Sequence, residues 1–282
     1  METAEESAAQ QFEKRRPLLL GLAYRLLGSM ADAEDVVRAA YRRGTGEPDE
    51  TRALLFTQVT RLAVERLGAL GEARQAYPGP WLPDPVADSL LGPLDTAPLR
   101  DTVAYAAVHL MERLSPTERA VFVLREAYEV PYGEVARILD TTETNCRRMH
   151  LRSRRRLAVG RDRFGLTWGE HADLLTRLVG AARDADRAAL ADLLTEDAVA
   201  WYDAGGTAQA PSAPVEGAAD VSAFLVGRHP YGAPRTLDVN GRPALALIVE
   251  GVEQVIVIDV WAGLVDGVYC VLNPDKLGHA RT

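Results

Sequence analysis

Apolar residues at Leu19, Leu22, Ala23, Leu26 and Leu27 recur three and four positions apart, the spacing of one helical face. They predict a helix over 9–28, with Gly28 as its C′ stop. Ser29 opens a second helix running to about Arg43. Asp32, Glu34 and Asp35 fall in its first turns, where the helix dipole favours acids. Residues 44–48, GTGEP, break it. A third helix spans about 50–76, with Leu54, Leu55, Val59, Leu62, Ala63 and Leu67 as its core stripe. Gly68 and Gly71 weaken its C-terminal half.

The periodicity then stops. Residues 77–98 hold six prolines, at 78, 80, 83, 85, 93 and 98, which no helix survives. This is a linker or a strap. Trp81 and Leu82, in YPGPWLPDP, make it unusually apolar for a free linker: either the Trp packs locally or the segment contacts another domain. Helical patterning resumes over 99–113. Ser115-Pro116-Thr117-Glu118 is a capping box with proline at the first helical position. Helices follow at about 116–127, 131–139 and 143–158. After Trp168 the pattern changes. Helices at about 169–181 and 184–194 precede strands at 198–203, 236–241, 244–251, 252–261 and 264–272, with a helix at about 218–227 between them. Val255, Val257 and Asp259 alternate only weakly with Ile256, Ile258 and Val260, so both faces of the sheet are expected to be covered. The pattern predicts a multidomain protein: all-α domains first, then an α+β domain built around a curved antiparallel sheet.

Composition narrows the class. The 282 residues suffice for about two domains, each with its own core. No apolar run approaches the ~20 residues of a membrane span. The first residues, METAEESAAQQFEKRR, are polar and acidic, unlike a signal peptide. Cys146 and Cys270 are too few for a disulfide framework or a cysteine-rich metal site, and no cofactor motif is present. A cytoplasmic protein without a resident metal is expected. Charge is unevenly spread. Residues 1–112 carry 12 basic and 17 acidic residues, 167–282 carry 8 and 16, but 113–166 carry 12 and 7. Within 145–163 stand eight arginines (147, 148, 152, 154, 155, 156, 161, 163) against Asp162. That local field points to a polyanion, duplex DNA first, although the whole chain is acidic.

The basic segment has helix-turn-helix logic. Helix 131–139 turns Val135, Ile138 and Leu139 inward. Asp140-Thr141-Thr142 makes the turn, with Thr142 or Thr141 as the next N-cap. On the following helix Cys146, Met149, Ser153 and Leu157 face the core. Thr144, Asn145, Arg147, Arg148, Leu151 and Arg152 form the opposite face. A recognition helix uses its N-terminal residues on base edges and flanking arginines on phosphates. Thr144, Asn145, Arg147, Arg148 and Arg152 are thus the candidate DNA-contacting residues, with Arg154, Arg155 and Arg156 mainly on backbone. Cys146 reads as a small core residue and His150 as a half-buried packing residue.

The stretch LSPTERAVFVLRE, the step Pro131 to Ala136, and a helix ending in arginines resemble region four of the extracytoplasmic-function sigma factors. RPLLLGLAYRLLGSMADAEDVVRAAY (16–41) resembles sigma region two. The resemblance is to the subgroup with a fused SnoaL-like C-terminal domain, on three markers: WLPDP (81–85), DAGGT (203–207) and NPDKL (273–277). It covers about 12–280 and implies a domain plan: a three-helix region two at 9–76, a Pro-rich linker at 77–98, a helix-turn-helix region four at 99–163, and a SnoaL-like cone at 167–282. It also implies partners. Region two would dock core RNA polymerase through Asp32, Glu34, Asp35 and Arg38, and region four would grip promoter DNA. Trp81, Leu82, Pro83, Asp84, Pro85, Asp203, Gly205, Gly206, Asn273, Pro274, Asp275, Lys276 and Leu277 would lie at or near a regulatory interdomain contact. The chain departs from the pattern in places. After Val37 it reads Arg38-Ala39-Ala40-Tyr41-Arg42-Arg43-Gly44, its third helix ends LGALGEARQA with few cations, and Thr207 stands where the subgroup has Lys.

The implied function is a bacterial sigma-factor-like initiation protein, regulated in cis by its C-terminal domain and monomeric when free. Two alternatives are a sigma-like DNA- or polymerase-binding regulator that does not initiate, and a sensor holding a small-molecule ligand in the SnoaL-like cone. Catalysis is the weakest reading. Asp203, His229 and Asp259 are its candidates, but no acid–base pair is fixed by spacing, and Asp-Ala-Gly-Gly reads first as a turn.

Overall fold

In the computed structural model the structure describes residues 2–44, 52–157, 166–206, 211–227 and 232–281. The chain divides into two compact units. The first holds Met1–Ala73, Asp88–Val103 and Ala107–Val159; the second holds Arg74–Ala87, Ala104–Ala106 and Gly160–Thr282.

The first unit begins with α1 (Glu2–Leu27), α2 (Met30–Gly44) and α3 (Arg52–Gln75). Leu19, Leu22, Ala23, Leu26 and Leu27 are all buried. Gly28 takes φ 67° and donates its N–H to the Tyr24 carbonyl at 2.7 Å, ending α1 where a left-handed residue is needed. On α3, Leu55, Val59, Ala63 and Leu67 are buried, but Leu54 is exposed, contrary to expectation. The buried set is spaced by four, and Leu54 sits one position off that line. The helix expected over 99–113 is α4 (Ala97–Val103), α5 (Tyr105–Leu110) and a 3₁₀ turn at Met111–Arg113, interrupted at Ala104. Then come α6 (Pro116–Glu126), α7 (Tyr132–Ile138) and α8 (Glu143–Arg156). Ser115 caps α6 with the full capping box. Asp140 takes φ 50° in the turn, and Thr142, not Thr141, caps α8 by accepting the Asn145 N–H at 3.2 Å.

Two buried arginines knit this unit. Arg25 donates to the carbonyls of Gly21 and Leu99, both at 2.7 Å, and to Thr102 Oγ1 at 3.1 Å. Arg119 donates to the Arg25 carbonyl at 3.0 Å and pairs with Glu112. Buried guanidinium groups are tolerable only with such partners. From α3, Arg61 donates to the carbonyls of Ile138 at 2.7 Å and Arg137 at 3.0 Å, groups the end of α7 leaves without helical partners.

The second unit is α+β, as the SnoaL-like plan requires. Helices α9 (Trp168–Arg183), α10 (Arg187–Leu193) and α11 (Ala218–Val226) accompany one six-stranded sheet. Its strands are β1 (Leu194–Asp203), β2 (Val215–Glu216), β3 (Arg235–Val239), β4 (Arg242–Val249), β5 (Val252–Trp261) and β6 (Leu264–Val271), in the order β2-β1-β6-β5-β4-β3. The sheet is mixed rather than wholly antiparallel: β1 runs parallel to β6, with Trp201 opposite Tyr269 and Tyr202 opposite Cys270. Both faces are covered. Ile256, Ile258 and Val260 join the leucines of α9 and α10 in one core, while Val255 and Val257 join Leu82, Tyr105, Tyr269 and Leu277 in another. The second core explains the missing alternation in β5.

Candidate nucleic-acid interface and a buried ion pair

Helix α8 owes its orientation to the core beneath it. Cys146, Met149, His150 and Ser153 are buried, and Leu157 closes the helix from the same side. His150 is more than packing. Its Nδ1 lies 2.7 Å from the Tyr132 hydroxyl and its Nε2 lies 2.7 Å from Glu126 Oε1. That hydrogen bond is the main reason the Glu126 carboxyl sits below its usual range. A carboxylate only accepts, so Nε2 donates to it. One imidazole thereby ties α6, α7 and α8 together.

The outward face carries the expected residues, in two groups. Arg152 pairs with Glu118 at 2.7 Å and Arg156 with the same carboxylate at 3.2 Å, while Arg154 lies 3.7 Å from Glu126. Burial opposes ionisation of Glu118, but the Ser115 hydrogen bonds and the two guanidinium groups outweigh it and hold its pKa below 4.5. These three arginines, though half-exposed, anchor α8 to α6. The others face outward differently. Arg147 pairs with Glu143 and stacks 4.5 Å from the Tyr132 ring centroid. Arg148 donates to Asn145 Oδ1 at 2.9 Å. Thr144, Arg155 and Leu151 are exposed. Arg161 and Arg163 lie outside the described residues.

On α2 the acidic candidates are partly used within the unit. Asp32 pairs with Arg66 of α3 at 2.6 Å, and Glu34 pairs with Arg16 of α1 at 3.3 Å. Asp35 and Arg38 pair with each other at 3.2 Å on the surface. Asp35 also lines a groove of about 360 Å³ between α2 and α3, with Arg43, Glu65 and Arg66.

The motifs WLPDP, DAGGT and NPDKL converge on a single carboxylate. Asp203, at the end of β1, is 1 % exposed. Its Oδ1 accepts from the Tyr77 hydroxyl at 2.6 Å and the Gly205 N–H at 3.2 Å. Its Oδ2 accepts from the Leu82 N–H at 2.9 Å and Lys276 Nζ at 2.7 Å. Lys276, in the short helix α12 (Pro274–Leu277), also donates to the Leu82 carbonyl at 2.6 Å. Burial pushes its pKa down, and the Asp203 charge opposes that. Burial and the Asp203 carboxylate drive the Tyr77 hydroxyl well above its ordinary 10.0, so it stays protonated and donates. Asn273 Nδ2 donates to the same hydroxyl at 2.9 Å, and Asn273 Oδ1 caps α12. Trp81 lies between two cations, 3.9 Å from the Arg74 guanidinium and 4.2 Å from Lys276 Nζ. Gly205 (φ 63°) and Gly206 (φ 86°) let the turn pass against Asn273 and Pro78, where a Cβ would meet side-chain atoms at 2.9 and 2.7 Å. Asp84 and Pro85 continue the buried strap, and Asn240 Oδ1 accepts the Val86 N–H at 3.0 Å. Tyr77 and Arg74 were not singled out by the sequence; neither belongs to a motif or a periodic face. Thr207 and His229 lie outside the described residues.

A capped three-helix head with arginines on one face of its last helix is a DNA-reading module. The Sigma-70 region 4 family model matches residues 106–157, which span α6 to α8. The chain is 32% identical to the ECF RNA polymerase sigma factor SigJ of Mycobacterium tuberculosis over 94% of its length and 92% of that protein. It is 27% identical to the probable ECF sigma factor SigI of the same species, over 94% and 93%. The crystal structure of M. tuberculosis SigJ superposes with a TM-score of 0.74 and 28% identity, covering 97% of this chain and 99% of that one. The chain belongs to the extracytoplasmic-function RNA polymerase sigma factors, which bind promoter DNA and core polymerase to initiate transcription.

Proposed function

We propose that α8 reads one promoter element through Thr144, Asn145, Arg147 and Arg148, with Arg152, Arg154, Arg155 and Arg156 on the phosphate backbone. The observation that carries this is the outward arginine face of α8 on a core fixed by the α6 capping box, the Thr142 cap and the His150 node. Arg152, Arg154 and Arg156 then serve twice, holding α8 to α6 and adding positive potential. Polymerase docking is assigned to the exposed Asp35–Arg38 pair midway along α2, with Asp32 and Glu34 acting chiefly to hold that helix in place.

The C-terminal domain regulates initiation in cis. Support comes from the strap. Residues 77–85 are clamped by Asp203, Asn273 and Lys276, so the state of this node sets the freedom of the chain leading into residue 88. The domain acts without catalysis. Asp203, its best-placed carboxylate, already accepts four hydrogen bonds and has no lone pair left for a base's work. The free protein is a cytoplasmic monomer in this reading, and no helix of the described residues is long and apolar enough to cross a membrane. Run-off transcription with core polymerase tests initiation: a promoter-specific transcript is expected, and binding to core without any transcript would leave only a non-initiating regulator.

A further inference from the structure

We infer that Leu151 is a specificity residue that reads the C5-methyl group of one thymine in the promoter element facing α8; this rests on α8 being the DNA-reading helix. Leu151 is 54 % exposed on a helix whose other apolar residues are buried. It lies one turn beyond Arg147 and Arg148, one turn before Arg155, and two turns beyond Thr144. The stripe 144, 148, 151, 155 thus runs along one face with a lone branched apolar side chain among hydroxyl and guanidinium groups. Those neighbours have local partners or hydrogen-bonding heads: Arg147 has Glu143 and Tyr132, and Arg148 has Asn145. A leucine there offers nothing to phosphate or to a polar base edge. In the major groove the thymine methyl is the one apolar group a base edge presents, so that is what an isobutyl group in this stripe can recognise. Seven residues of helix rise span about 10 Å, which puts the thymine within about three base-pair steps of the base faced by Thr144.

The test uses the full-length chain assembled with core polymerase. Bound duplexes are selected from a random library, and each thymine of the recovered element is then replaced by uracil, which removes only the methyl. One replacement is expected to weaken binding about fourfold, the size of burying one methyl. Leu151→Ala should lose about the same factor on the thymine duplex, show no thymine–uracil difference there, and leave the element degenerate at that position. Because the residue is exposed, its unfolding midpoint should match the parent. If no replacement matters, or Leu151→Ala keeps the full uracil penalty, the assignment is wrong. If the parent selects no sequence at all, the DNA-reading role of α8 falls with it. Arg148→Ala provides the contrast: the element becomes degenerate at a different position, with the uracil penalty kept.

Discussion

Asp203 and Lys276 form a buried ion pair, and buried pairs respond asymmetrically to mutation. Removing one partner leaves an uncompensated charge, which costs about 3–5 kcal/mol, whereas replacing both costs much less. Lys276→Met should therefore destabilise the second unit more than Lys276→Met combined with Asp203→Asn, as denaturant unfolding followed by circular dichroism would show. His171 gives the pH counterpart. Burial is the main cause that lowers its pKa from 6.5 to about 4. Its stabilising contribution is whole above 6.5 and is lost as pH falls toward 4, because the unfolded chain takes up the proton first. The loss is at most about 3 kcal/mol. His171→Gln should flatten the stability profile between those values, and a profile as steep as the parent's would refute this. Neither residue's environment was legible in sequence. Residue pattern made Asp203 a turn former and only the family resemblance set it near the 81–85 and 273–277 motifs, while His171 was not singled out, since what surrounds each lies far along the chain.

Among the elements, α6 to α8 were the most legible, because a capping box, an N-cap threonine and helical spacing are local signals. The capping serine, the turn and the buried face of α8 all follow from residues within a few positions of one another. What the local pattern missed was the sharing of Glu118 between the α6 cap and two arginines of α8. That sharing divides the arginine row. Arg148→Ala with Arg155→Ala should reduce duplex affinity and lower the slope of log affinity against log salt by about 1, the phosphate contact of Arg155, at unchanged stability. Arg152→Ala with Arg156→Ala should lower both slope and unfolding midpoint. Equal stability in the two double mutants would contradict the anchoring role. The break at Ala104 and the parallel β1–β6 pair were invisible for a related reason. Tyr105 is held by the Pro83 carbonyl at 2.7 Å and by the Tyr269 ring, and β1 meets a strand about 70 residues later. Tertiary partners overrode a local preference for a continuous helix.

For the whole molecule, the strap decides where one unit ends. Residues 77–98 read as a single linker, yet 74–87 belong to the second unit and 88–103 to the first. The proline count marked the segment but not its division, because the dividing forces are hydrogen bonds from Asp203, Asn240 and the C-terminal turn, where the His279 carbonyl accepts the Ala87 N–H at 2.9 Å. Deleting residues 274–282 should raise amide exchange at Leu82, Val86 and Ala87 and change transcript yield from the same promoter. Unaltered exchange at those amides would show that the strap needs no C-terminal clamp.

The Leu82–Lys276 hydrogen bond joins residues 194 positions apart. At about 5–20 residues per second, a ribosome takes roughly 10–40 s to travel between them. Helices α1 to α3 precede Leu82 and α4 to α8 are made within that interval, so every helix of the first unit exists before Lys276 does. Each newly made molecule therefore passes through a period in which its DNA-reading head is complete and its strap has no lysine to hold it. The timing of synthesis, set by the order of segments along the chain, gives every copy a brief unlatched youth before the C-terminal turn arrives.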